Sequence, residues 1–118
     1  MGADWIEHKG KKIIYIKYGG LKPSEMLELI HKATQMIVAE KSNQILSLTD
    51  LTGCFINKEF TDTAKKQGAI SLPLTKKAAV VGVTGIKNIL LKAVNEFSAK
   101  KRVPFDTVEQ ALDWLVEL

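Results

Sequence analysis

Side chains capable of chemistry gather in one short stretch, Asp50-Leu51-Thr52-Gly53-Cys54, which brings a carboxylate, a hydroxyl and a thiol close together along the chain. Asp50, Thr52 and Cys54 are therefore the clustered candidates if the chain is an enzyme. Cys54 follows a glycine in a loop, where a thiolate would be within reach. No neighbouring His or basic motif would depress its pKa, however, and a small residue packing in a turn is the simpler account. His8 falls beside a predicted hairpin turn, and His31 lies on the polar side of a predicted helix next to Glu28, Lys32 and Gln35. Neither has an acid or nucleophile at a spacing that suggests proton transfer. The chain contains no GxSxG, HExxH or Walker phosphate loop. Its single cysteine rules out an internal disulfide and any multi-cysteine metal centre, and it suits a reducing compartment. No catalytic residue, cofactor or metal is expected.

Binding is the better prospect at two loops. Asp50-Leu51-Thr52-Gly53 offers a carboxylate, a hydroxyl and a flexible glycine. Gly82-Val83-Thr84-Gly85 offers a hydroxyl and free amides at the positive end of a helix dipole. Both follow predicted strands, and loops leaving the carboxyl ends of strands in an open α/β sheet meet at one rim. The same residue types also serve strand-to-helix turns simply to turn and cap.

The elements that must position these loops are legible from periodicity. Asp4–His8 and Lys11–Tyr18 flank Lys9-Gly10 and predict a hairpin. Pro23 opens a helix to about residue 40, with Met26, Leu29, Ile30, Ala33, Met36 and Ile37 at helical spacing. Ile45–Asp50 reads as a strand. Residues 57–70 form a marginal second helix capped by Asn57, since Phe60, Ala64 and Ile70 make only a thin apolar stripe and Gly68 weakens its end. Leu72-Pro73-Leu74 is a connection. Lys77–Thr84 reads as a continuously apolar central strand. Thr84 then caps a third helix whose stripe is Ile86, Ile89, Leu90, Ala93, Val94 and Phe97. Val103-Pro104-Phe105 is a short strand with its proline at an edge. Asp106 and Glu109 resemble a capping box opening a last helix with Val108, Ala111, Leu112 and Leu115 inward. The fold class is α/β: a single domain with a mixed, mostly parallel five-stranded sheet, an N-terminal hairpin and about four helices.

Composition narrows the partners. The 118 residues are 46% apolar and 25% charged, enough for one domain with a core of its own. The net charge is +4, but only Arg102 among the basic residues is an arginine and aromatics are 7%. Readers of nucleic acid rely on arginine forks and stacking platforms, so specific nucleic-acid binding is not expected. The lysine pairs are spread along the chain, as solvated faces require. No apolar run approaches a membrane span, and the polar opening MGADWIEHKGKK lacks a signal-peptide core, so a cytoplasmic location without membrane insertion is expected.

Three stretches carry a resemblance: ILSLTDLTGCFINKEF, KAAVVGVTGIKNILLKAVNEFS and PFDTVEQALDWLVEL. Together they resemble the SpoIIAA-like family, bacterial domains related in fold to STAS and CRAL-TRIO domains, and the resemblance runs from Trp5 to Trp114. Its specific parts are TDLTG, AVVGVTG and ALDWL. It implies a STAS-like fold and no established catalysis. STAS anti-sigma-factor antagonists bind a kinase-like partner and are switched by serine phosphorylation at the start of the helix after the corresponding strand. There the pattern is Asp-Leu-Ser-Gly, a short apolar stretch, then Asp-Ser-Ser-Gly. Asp50-Leu51-Thr52-Gly53 matches the first part and Phe55-Ile56 the apolar stretch. Asn57-Lys58-Glu59 stands where the acid and serine pair would be, so the acceptor serine is missing and Thr52 or Thr61 are the alternatives.

The resemblance thus implies a regulatory module that binds a protein partner through Asp50, Thr52, Gly53, Phe55, Asn57, Lys58 and Phe60 together with Thr84 and Gly85. Kinship with CRAL-TRIO domains implies an alternative, a small apolar or lipid-like ligand lined by Phe55, Ile56, Phe60, Ile70 and Leu72. A homodimer could form through the Trp5 hairpin edge or the C-terminal helix, and the residues give no preference between the two.

Overall fold

Alternation of period two along strands and a repeat of 3.6 along helices lay out the elements of the computed structural model, which describes residues 2–96 and 100–118. Strands β1 (Ala3–His8) and β2 (Lys11–Lys17) form the expected hairpin. Its turn residues Lys9 and Gly10 both have positive φ, at 50° and 80°, the signature of a two-residue turn matched to strand twist. Helix α1 (Pro23–Ala39), strand β3 (Ile45–Asp50) and helix α2 (Lys58–Ser71) follow. A 3₁₀ turn at Leu72–Leu74 leads into β4 (Thr75–Val81), α3 (Ile86–Glu96), β5 (Arg102–Phe105) and α4 (Val108–Val116).

The sheet order is β1-β2-β3-β4-β5, with β1 antiparallel to β2 and all other pairs parallel. Neighbours in the sheet are neighbours in sequence throughout. Every parallel crossover therefore advances in the same sense, and the right-handed rule sends its helix to the same face. Ile14, Ile16, Ile45 and Val80 meet α1 and Phe60 of α2 in one core, with Leu91 of α3 against it. The alternate residues Ile13, Leu46, Leu48, Ala79 and Val81 meet Ala111 and Leu115 of α4 in a second core. Ile13, Ile14 and Leu48 have no exposed surface.

Several expectations require correction. The strand expected at Lys77–Thr84 runs from Thr75 to Val81, because Gly82 takes φ +80° and leaves the extended region. It is not the central strand; β3 is. Continuous apolarity reports cover on both faces, which β4 receives from α4 on one side and from the first core on the other. Helix α3 begins at Ile86, two residues beyond Thr84, whose carbonyl accepts the Lys87 N–H at 3.1 Å. Thr107, not Asp106, caps α4: its hydroxyl accepts from the Gln110 N–H at 3.1 Å. In α3, Ile89 of the expected stripe is exposed, while Leu91, outside that stripe, packs inward. Phe97 and the side chains of Ile86, Leu90, Ala93 and Val94 lie outside the described residues. Asn57 caps α2 as expected, its side-chain oxygen accepting from the Phe60 N–H at 2.8 Å.

Candidate functional site

The loops after β2, β3 and β4 close against one another at the carboxyl end of the sheet, with Thr52 at their centre. A methyl group on Gly19 would stand 2.5 Å from the Thr52 carbonyl oxygen, and one on Gly82 would stand 2.6 Å from Thr52 Oγ1. The Leu51 N–H donates to the Val81 carbonyl at 2.9 Å. The Leu51 carbonyl receives Lys87 Nζ at 2.8 Å, Cys54 Sγ at 3.2 Å and the Cys54 N–H at 3.4 Å. The strand order never reverses in this sheet, and a reversal is what parts neighbouring loops into a crevice.

Both oxygens of Asp50 are engaged. One accepts the Thr52 N–H at 2.9 Å and fixes the turn; the other accepts the Tyr15 hydroxyl at 3.0 Å. Burial, helped by that bond to Asp50, pushes the Tyr15 phenol up to about 12. Cys54 is only 9% exposed, and burial raises its thiol pKa against the opposing charge of Lys87. Thr52 and Gly53 face solvent, as do Thr84 and Gly85. Phe55 is 77% exposed. Lys58 is exposed and pairs with Asp62 at 2.8 Å. Phe60 turns the other way, into the core, where its ring meets Tyr18 edge-on at 5.2 Å between centroids. Thr61 is buried and its hydroxyl donates to the Asn57 carbonyl, so it does not present a phosphate acceptor.

Beneath this rim a half-open cavity of about 110 Å³ lies between α2 and the sheet. Its origin is the inward face of α2: Phe60, Thr61, Ala64, Gln67, Gly68 and Ser71 recur at helical spacing, and after Phe60 they are too small or polar to fill the space. Ile56 and Phe60 line it as the alternative reading expected, but Phe55 and Ile70 are exposed and Leu72 is buried beyond its wall. Among the lining residues absent from the expected sites are Tyr18 and Arg102. Arg102 begins β5 and is held on both sides. Its backbone pairs with Ala78 of β4, and the Asn95 side chain clasps its N–H and its carbonyl, each at 3.1 Å. Along α3, Lys87, Leu91 and Asn95 thus form one inward line at spacing four, tying the rim, the core and β5 in turn. The signals for this site were present in the sequence as a lone arginine and a stripe of small residues on α2.

A wider hollow of about 320 Å³ opens at the amino ends of β2 and β3, near Trp5 and Lys12. There Lys12 is neutralised by Glu40 at 2.7 Å. Among the described residues no cluster of three or more His, Cys, Asp or Glu side chains could hold a metal ion, and no helix is long and apolar enough to cross a membrane.

No protein-family model and no curated protein matches the chain. A solved structure does. The chain superimposes on an uncharacterised protein of the DUF3478 family from Shewanella loihica PV-4, which has a SpoIIAA-like fold, with a TM-score of 0.74. The match covers 96% of this chain and 91% of that one at 18% identity. The fold is SpoIIAA-like. The resemblance carried by TDLTG, AVVGVTG and ALDWL is thereby matched in three dimensions at the level of architecture. In this SpoIIAA-like domain the TDLTG element is the turn locked by Asp50, and AVVGVTG spans the Gly82 crossing.

Proposed function

We propose that the chain is a non-catalytic regulatory module of STAS type that engages a protein partner in the cytoplasm through the loops at the carboxyl ends of its central strands. The observation that carries this reading is Phe55, an aromatic side chain 77% exposed between Cys54, bonded to Leu51, and Asn57, which caps α2. An apolar ring presented from an anchored segment, beside the exposed Thr52, Gly53 and Lys58, is the kind of group that becomes buried at an interface. Phe55→Asp and Lys58→Glu test it by affinity capture from the source organism. Both variants are expected to lose a partner recovered by the wild type at an unchanged thermal midpoint. Full recovery by both overturns the reading. Asn57 is unsuited to this test because its loss also frays α2.

A second reading is favoured by the cavity beneath α2: the domain holds a small, largely apolar ligand. At about 110 Å³ the half-open space is below the range of pockets for drug-sized ligands, roughly 300 Å³ and upward, so the ligand would be small or would protrude. Native mass spectrometry of protein purified from its own host tests this, with an added small mass supporting it and a bare polypeptide opposing it.

A further inference from the structure

Arg102 is the only arginine in the chain, and its guanidinium has no carboxylate, carbonyl or hydroxyl partner among the described residues. It lies against Gly68 of α2, where a methyl group would stand 3.1 Å from Nη2, and it borders the cavity. The Tyr18 hydroxyl, on a residue 4% exposed, borders the same space and likewise has no bonding partner. Among the described residues no Asp or Glu lines the cavity, while Lys87 adds a second cation whose ammonium is tied to the Leu51 carbonyl. Enclosure works against the guanidinium charge and lowers its pKa, as it raises that of the Tyr18 phenol. Among the described residues no buried side-chain nitrogen or oxygen lacks a partner, so both groups reach the open side of the cavity, where a guanidinium without a counter-charge attracts an anion from outside.

We infer that the cavity binds a small amphiphilic carboxylate, with its apolar body between α2 and the sheet and its carboxylate received by the Arg102 guanidinium and the Tyr18 hydroxyl. The inference rests on the second reading above and names its ligand class. The planar fork of arginine matches a carboxylate in two parallel bonds. Ile16, Ile30, Phe60 and Val80 supply apolar wall for the rest of the molecule. An acid of about six carbons suits the space better than a long-chain lipid, which would have to leave it.

The test is calorimetric titration of the full chain with hexanoate, with hexan-1-ol as the neutral analogue and with inorganic phosphate. Hexanoate is expected to bind at least about tenfold more tightly than hexanol, the ratio set by one charge-assisted bond pair. Arg102→Gln should erase that preference and Arg102→Lys should restore part of it, with circular dichroism confirming the fold. Equal affinity for hexanoate and hexanol in the wild type overturns the role of Arg102 while leaving an apolar ligand site standing. Binding of neither overturns both readings. Phosphate binding as tightly as hexanoate overturns the amphiphile in favour of a simple anion site. The wild-type comparison decides even if Arg102→Gln fails to fold.

Discussion

Gly82 crosses Thr52 with no room for a side chain. A methyl group there would stand 2.6 Å from Thr52 Oγ1 and 2.8 Å from the Leu51 carbonyl carbon, and the backbone sits at φ +80°. The Leu51 carbonyl carbon and the left-handed φ are backbone constraints, which cannot rotate away. Gly82→Ala is therefore expected to cost about 3 kcal/mol or more in urea unfolding. Gly53→Ala, at φ +74° with nothing within 4 Å, should cost only about 1 kcal/mol. Similar costs for the two would refute the tight crossing of the loops.

The helix caps separate by a single residue. Thr107→Ala should destabilise by about 1 kcal/mol, because it orphans the Gln110 N–H, whereas Asp106→Ala should change stability by less than about 0.5 kcal/mol. Asn57→Ala should resemble Thr107→Ala. Chemical denaturation of the three variants ranks them directly.

Cys54 is packed rather than poised. With 9% exposure, a thiol donating to Leu51 and a pKa raised by burial, it should react with an aromatic disulfide reagent more than about tenfold slower than a free thiol near neutral pH. Urea should bring the rate up to that of the free thiol. A fast native reaction would return Cys54 to the list of chemical groups.

Tyr15 and Asp50 make a bond that depends on the phenol proton. The unfolded phenol titrates near 10 and the folded one near 12, so the bond's contribution is complete below about pH 10 and is lost as pH rises toward 12. The stability gap between wild type and Tyr15→Phe, about 1 kcal/mol at most for this partly exposed pair, should close over that interval. Denaturation midpoints on either side of pH 10 measure it.

Gly68 leaves the room that Arg102 occupies. Gly68→Ala would gain helix propensity of about 1 kcal/mol, and its methyl, 3.1 Å from Nη2, would be met by a shift of the flexible end of Arg102. Stability is expected to hold or rise while hexanoate affinity falls several-fold. Unchanged affinity would show that the guanidinium position is not critical.

Sequence reading reached the fold because its signals were local. The Lys9-Gly10 turn, the α1 stripe and the Asn57 cap each state their structure in a few residues. It reached the rim as well, since Asp50 ends one strand with Thr52 just beyond it, and Gly82 follows the end of the next. It missed Arg102, because nothing in KKRVPF tells that arginine from the lysines before it; only β5's place beside β4 turns that side chain under α2. The weak apolar stripe of α2 is visible in the sequence and marks a helix standing over a gap. Chain order supplied no sheet order, which is why β4 passed for the centre.

Because each strand lies beside the one made before it, the sheet can be assembled in the order of synthesis, and α1, α2 and α3 each arrive between the strands they roof. The opposite face has no such escort. Ile13, Leu46, Leu48, Ala79 and Val81 wait for α4, the last element, to cover them. A nascent chain therefore passes through a stage with one greasy side bare, which is where a chaperone would grip it and where loss of α4 would leave it prone to clump.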